Sequence, residues 1–177
     1  DGDVLVDKIA AASDQLDPAP ASPDEDAFWL YSSGSTGSPK GVVHQQKDMV
    51  LTSEYYGRGL MKITEDEIIF SAAKLFFAYG LGNAMTFPLW VGAQAVLYAP
   101  APSPAAMFDT IARYKPTIFY GVPTLYAGQL KMMEENDFDQ SSVRAFISAG
   151  EALPPDIFHR WEEKTGLPLL DAIGTTE

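Results

Sequence analysis

Apolar and polar positions along the chain fall into short alternating blocks. Five runs rich in apolar and β-branched residues read as strands: Glu67–Ala72, Ala93–Tyr98, Thr117–Tyr120, Val143–Ser148 and Pro168–Ile173. Between them, apolar residues at helical spacing predict helices over Leu81–Trp90, Ala105–Tyr114, Pro123–Met133 and Asp156–Lys164. Pro104, Pro123 and Pro155 stand where helices would begin, a position at which a missing N–H costs nothing. Gly166 follows the last helix as a C-cap. Strands separated by helices of this length are the pattern of βαβ crossovers. The expected fold class is therefore α/β, a layered, mostly parallel sheet with flanking helices.

The first part of the chain reads differently. A short helix is predicted over Asp7–Leu16, followed by an exposed, extended linker at Asp17–Pro23, whose prolines fix φ and withhold donors. Ala27–Tyr31 is an apolar run that reads as a buried strand, and it leads into a small-residue loop, Ser32–Gly41. Val42 and Val43 resume extended structure, and a helix is predicted over Lys47–Leu60. The expected division is a helix and Pro-rich lead-in over residues 1–26 and one larger unit over 27–177. No internal repeat at a short fixed period is present.

Composition narrows the function classes. The 177 residues suit one domain or two, and 46% hydrophobic against 20% charged residues allow a sizeable core. Twelve Lys and Arg against 24 Asp and Glu leave a formal net charge of −12, so nucleic acid is not an expected partner. The absence of cysteine excludes a disulfide framework, a thiol nucleophile and a cysteine-ligated metal. It fits a reducing compartment, and a cytoplasmic location is expected. No run reaches the roughly 18 apolar residues of a membrane helix, so no membrane partner is expected. Asp1-Gly2-Asp3 is no signal peptide. The chain starts without Met and stops directly after an apolar run, which reads as a piece of a longer protein.

The loop Ser32–Gly41 is the strongest chemical signal. Glycines let backbone approach a ligand, and successive N–H groups with Ser/Thr hydroxyls can surround phosphate oxygens. Lys40 adds a point charge for a polyphosphate. This is not a Walker A loop, because Pro39 precedes Lys40 and Gly41 follows it. The same composition also suits a flexible turn between two strands.

The order Tyr31-Ser-Ser-Gly-Ser-Thr-Gly-Ser-Pro-Lys-Gly41 resembles the phosphate-loop signature of adenylate-forming enzymes: acyl-CoA synthetases, peptide-synthetase adenylation domains and luciferases. Asp171–Glu177 resembles that family's motif ending in Gly-x-Thr-Glu, and Ala73–Gly80 sits where the family carries an aromatic residue beside its acyl pocket. Phe76–Asn83 and Phe119–Thr124 are most similar to benzoate-CoA and hydroxybenzoate-CoA ligases. The resemblance implies part of the large N-terminal domain of such an enzyme. Ser32, Ser33, Gly34, Ser35, Thr36, Gly37 and Lys40 would hold the β- and γ-phosphates of ATP. Thr176 would touch the α-phosphate and Glu177 would ligate Mg²⁺, which makes Lys40, Thr176 and Glu177 the implied catalytic set. Gly150, Glu151, Ala152, Asp171, Ala172 and Ile173 would flank adenine; Phe77, Ala78, Tyr79, Ile173 and Gly174 would form the acyl pocket.

The implied reaction joins a small aromatic carboxylate to ATP, giving an acyl adenylate and pyrophosphate, then transfers the acyl group to coenzyme A. Two alternatives stand beside it. One is an adenylation domain that loads an aryl acid onto a carrier protein; the other is a nucleotide- or carboxylate-binding module without turnover. The family's ribose-binding Asp, hinge and C-terminal lid domain have no counterpart in these residues, so the chain alone is expected to be inert. The resemblance leaves room for a homodimeric parent. Other candidates have plainer readings: His44 as a strand or turn residue, His159 on a solvated helix face, Glu65-Asp66-Glu67 as an acidic turn, Phe28 and Trp29 as core. Glu151 either faces the nucleotide or precedes a helix.

Overall fold

The structure, a computed structural model, describes residues 2–33 and 37–176, with side chains from residue 4 onward. Gly34, Ser35, Thr36 and Glu177, to which phosphate and metal roles fall above, lie outside the described residues. The chain forms α1 (Gly2–Ala11), the strands β1 (Asp26–Ser32) and β2 (Lys40–Gln45), and then α2 (Gln46–Thr52), which continues as a π-helical stretch, Ser53–Leu60. Next come β3 (Ile68–Ser71), α3 (Ala78–Leu81), a π-helical stretch over Gly82–Thr86 and α4 (Phe87–Val91). The rest alternates: β4 (Gln94–Val96), α5 (Pro104–Tyr114), β5 (Ile118–Gly121), α6 (Pro123–Met133), β6 (Ala145–Ser148), α7 (Pro155–Thr165) and β7 (Leu169–Asp171).

Strands β3 to β7 form one parallel sheet in the order β4-β3-β5-β6-β7. Helices cover both of its faces, so its central strands are apolar on both sides and read as continuous hydrophobic runs. Along β5, Phe119 faces a cluster with Met107, Ile111, Tyr126, Phe146 and Trp161, residues carried by α5, α6, β6 and α7. Its neighbours Ile118 and Tyr120 face the opposite cluster with Met61, Ile63, Ile69, Phe87 and Ile147. The α/β expectation holds. Pro104, Pro123 and Pro155 each open a helix, and Ser103 caps α5 by accepting the Ala106 N–H. Gly166 ends α7 with φ of 73°.

Several expectations need correction. The first helix spans Gly2–Ala11 rather than Asp7–Leu16, and Val4, Leu5, Val6 and Ile9 on it are exposed. It stops because Ser13 Oγ accepts the Gln15 N–H at 3.0 Å, a local turn that competes with helical pairing. Ala27–Tyr31 is not a fully buried strand: β1 pairs with β2 in a separate antiparallel hairpin. Phe28, Leu30 and Ser32 are half-buried, whereas Trp29 and Tyr31 are 54% and 71% exposed, so Trp29 is no core residue. The predicted Leu81–Trp90 helix widens to π geometry before Pro88, which has no N–H to carry the regular ladder onward, and Gly92 ends it at φ 81°. Glu67 is more than part of a surface turn. Its side chain is only 12% exposed and takes Arg144 Nε at 2.7 Å, while Arg144 Nη2 also donates to the Met61 carbonyl at 3.0 Å.

Candidate active site

The order of the parallel sheet places a switch point between β3 and β5. The chain leaves β3 through α3 and α4 on one face and leaves β5 through α6 on the other. Such divergence opens a crevice at the carboxyl ends of the strands, where ligands of open α/β sheets bind. The residues that follow β3, β6 and β7 here are Ala72–Phe77, Ala149–Gly150 and Ala172–Thr176.

A cavity of about 500 Å³ lies at the carboxyl ends of β6 and β7, beside α3. Ala78 and Tyr79 of α3, Gly150 after β6, and Ala172 to Thr176 after β7 contribute to its wall. Tyr79 is fixed by its hydroxyl, which donates to the Gly121 carbonyl at 3.1 Å. Burial pushes its phenol well above the ordinary tyrosine range, so the ring is a neutral wall rather than an acid or base. Asn83, on the π-helical stretch, also lines this cavity; it is 2% exposed and its Nδ2 has no acceptor among the described residues. Tyr79 and Gly150 are shared with a second, largely apolar cavity of about 550 Å³ lined by Lys74, Phe77, Val122 and Thr124. Lys74 is occupied: its Nζ donates to the carbonyls of Tyr98, Ala99 and Pro100 and lies 5.2 Å from the Tyr98 ring centre.

The β1–β2 hairpin brings the ends of the glycine- and serine-rich loop together, because Ser32 pairs with Lys40. Lys40 is exposed at the start of β2. The same hairpin reaches the end of the sheet through His44, whose Nε2 lies 2.8 Å from the Thr176 carbonyl oxygen. A small cavity of about 170 Å³ lies between the hairpin and this segment, touched by Phe28, His44, Ala78, Thr175 and Thr176. The Thr175-Thr176 segment thus borders both cavities, and the hairpin borders the smaller one through Phe28, Leu30 and His44.

Ala78, Tyr79, Ile173 and Gly174, expected together at an acyl pocket, share one cavity wall. Ile173 is 99% exposed and stands at the rim of that cavity. Phe77 departs from the expected grouping: it lines the second cavity and is 56% exposed, because the turn into α3 directs it away from Ala78. Of the residues expected around adenine, Gly150, Ala172 and Ile173 meet at the first cavity. Glu151, Ala152 and Asp171 are exposed and adjoin it in sequence without lining it. Tyr56, Asn83 and the His44 contact escaped sequence reasoning; a contact spanning 132 residues leaves no local pattern. A further cavity of about 450 Å³, lined by Asp137 to Ser141 and Lys164, lies at the amino ends of β6 and β7, away from this crevice.

The AMP-binding enzyme family matches residues 3–177. The chain belongs to that family. Its relatives include the benzoate–CoA ligase of Thauera aromatica, 53% identical over 175 residues, which cover 99% of this chain and 33% of the relative. A crystal structure of a benzoate CoA ligase from Burkholderia xenovorans LB400 superposes with a TM-score of 0.86 at 45% identity, covering 98% of this chain and 34% of that one. The anthranilate CoA ligase AuaEII in complex with anthranoyl-AMP gives 0.90 at 39%, covering 97% and 33%. The chain thus spans about a third of the length of these AMP-binding enzymes. Among the described residues, no helix is long and apolar enough to cross a membrane.

Proposed function

We propose that this chain is part of an ATP-dependent aryl-acid:CoA ligase acting on benzoate or a hydroxybenzoate, with residues 1–26 as lead-in and 27–177 as part of the AMP-binding region. The observation that carries the reading is the shared cavity. Ala78 and Tyr79 offer a slot for a flat ring, Gly174 to Thr176 line the same cavity, and His44 of the hairpin reaches the small cavity that adjoins it at Ala78, Thr175 and Thr176.

In the first step a carboxylate oxygen of the aryl acid attacks the α-phosphorus of ATP. The bond to the bridging oxygen breaks and pyrophosphate leaves with its electron pair. Two anions must meet in line, so the protein's work is alignment and charge neutralisation. Lys40 supplies a cation to the β- and γ-phosphates, the loop Ser32 to Gly37 supplies N–H and hydroxyl donors, and Thr176 faces the α-phosphate. Glu177 is the carboxylate that would hold Mg²⁺, which would supply charge neutralisation at the phosphates; one carboxylate with phosphates and waters is an ordinary Mg²⁺ shell. Gly150 and Ala172 border the adenine side. In the second step the thiol of coenzyme A, having lost its proton, attacks the acyl carbon and AMP leaves. Coenzyme A as acceptor is supported by the ligase relatives, and the chain alone does not turn over.

The test is carboxylate-dependent ATP–pyrophosphate exchange by the intact enzyme with benzoate, hydroxybenzoates, acetate and a medium-chain fatty acid. Exchange with aryl acids alone is expected. Exchange with aliphatic acids equally well would overturn the substrate class, and none with any acid would overturn the reaction. Turnover by the purified 177-residue chain would overturn its inertness.

A further inference from the structure

His44 sits four residues beyond Lys40 on β2, and three contacts hold its ring. Its face stacks on Phe28, with centroids 4.9 Å apart and planes inclined by 16°. Its Nδ1 lies 3.3 Å from Asp48 Oδ2, an oxygen already anchored by the Gln45 N–H at 2.9 Å. Its Nε2 lies 2.8 Å from the Thr176 carbonyl oxygen. A carbonyl only accepts, so Nε2 carries the hydrogen and donates it. The side chain is 17% exposed, which shields this bond from most competing water. Thr176 follows β7 in the large sheet, whereas His44 belongs to the separate hairpin. The bond therefore ties together two bodies that share no strand pairing.

We propose that His44 is a positioning residue for the adenylation step. By holding the Thr176 carbonyl it sets the distance between Lys40 at the start of β2 and the Thr175-Thr176 segment, the span that a triphosphate must bridge. This rests on the ligase reading above. The walls of the aryl slot have their own support, since Tyr79 is fixed by Gly121. Loss of the His44 bond should therefore slow the chemistry and leave aryl-acid binding nearly unchanged. A misplaced segment at the α-phosphate costs rate through alignment.

Three substitutions in the intact enzyme separate the bond from the packing. His44→Phe keeps an aromatic ring against Phe28 and removes the donor. His44→Asn puts an amide N–H at the depth of Nδ1, and His44→Gln puts one at the depth of Nε2. Each is read by aryl-acid-dependent ATP–pyrophosphate exchange and by hydrogen exchange of the amides at 172–176. The expected result is a fall in kcat of roughly fivefold to tenfold for Phe and Asn, with aryl-acid KM within about twofold, and recovery in Gln. Amide exchange at 172–176 quickens in Phe and Asn and returns towards the parent rate in Gln. Equal kcat in all three variants, or an equal loss in all three, overturns the positioning role. If the parent enzyme shows no exchange with any aryl acid, the ligase reading fails. The amide data still decide whether His44 holds the segment, and unchanged protection in the Phe and Asn variants would sink that too.

Discussion

Gly80 offers a sharp trial of how the crevice is built. A Cβ at this position would stand 2.1 Å from the Lys74 carbonyl oxygen, 2.6 Å from its carbon and 2.7 Å from the Ala73 oxygen. All three are backbone atoms and none can swing aside. Lys74 is itself pinned by its Nζ contacts to the chain after β4, including Pro100 O at 2.5 Å, and its carbonyl accepts the Phe77 N–H at 3.0 Å. Accommodating Gly80→Ala therefore requires α3 to move outward by about an ångström. Overpacking of this kind costs about 3 kcal/mol, the upper end of the usual range. Replacing helical glycine by alanine returns about 1 kcal/mol. The steric cost wins, and the net loss of about 2 kcal/mol corresponds to a fall in Tm of roughly 4–8 °C for a domain of this size. Gly174→Ala is the matched control, because a Cβ there meets nothing within 4 Å. Thermal unfolding of both variants by circular dichroism is the assay. A Gly80→Ala variant that melts at or above the parent temperature would refute the packing argument.

Three more outcomes test the site and the core. In the intact enzyme, Ala78→Phe should fill the aryl slot and raise aryl-acid KM about tenfold or more while ATP parameters stay within about twofold; steady-state kinetics with benzoate and ATP varied separately checks this. Lys40→Ala should raise the KM for ATP more than that for the aryl acid, since its charge is aimed at phosphate, and an equal effect on both would count against the assignment. Burial raises the phenols of Tyr79, Tyr120 and Tyr126 above their ordinary value near 10. Above that pH the unfolded chain sheds protons that the folded chain keeps. Stability is therefore full below about pH 10 and falls beyond it, by up to about 1.4 kcal/mol per pH unit for each phenol. Urea unfolding at pH 9 and pH 11, with tyrosinate absorbance followed in parallel, reads both the slope and the groups responsible.

What the sequence made legible follows from how locally each feature is encoded. β5 and β6 are buried on both faces, so Ile118-Phe119-Tyr120 and Ala145-Phe146-Ile147 announce themselves as unbroken apolar runs. Prolines mark the starts of α5, α6 and α7 because only a first-turn position tolerates a missing donor. The hairpin was misread for the converse reason. Phe28-Trp29-Leu30-Tyr31 is as apolar as β5, and composition cannot tell a strand covered on two faces from one whose Trp29 and Tyr31 stand open. The widening at Gly82–Thr86 has a local part, Pro88 and the close approach of Phe87 to Gly82, and a distant one, Phe87 against Gly57, which no local pattern shows.

The site divides along the same line. The glycine- and serine-rich loop and the Gly-Thr-Thr segment stand out in the sequence because each is a contiguous string whose residue types suit phosphate chemistry. Their mutual placement does not, because it depends on pairings distant in the chain. Ser32 opposite Lys40 closes the loop, and His44 to Thr176 joins the loop's hairpin to the sheet. Phe77 shows how a single dihedral separates neighbours. One residue before Ala78, in the extended conformation that starts α3, it turns into the second cavity, while Tyr79 stands between the two. Tyr79 is thus the partition of the crevice. Its hydroxyl bond to Gly121 ties that partition to the end of β5, the strand that borders the switch point. Gly150 is the other residue common to both cavities, and its φ of 91° is a conformation that a side chain would strain.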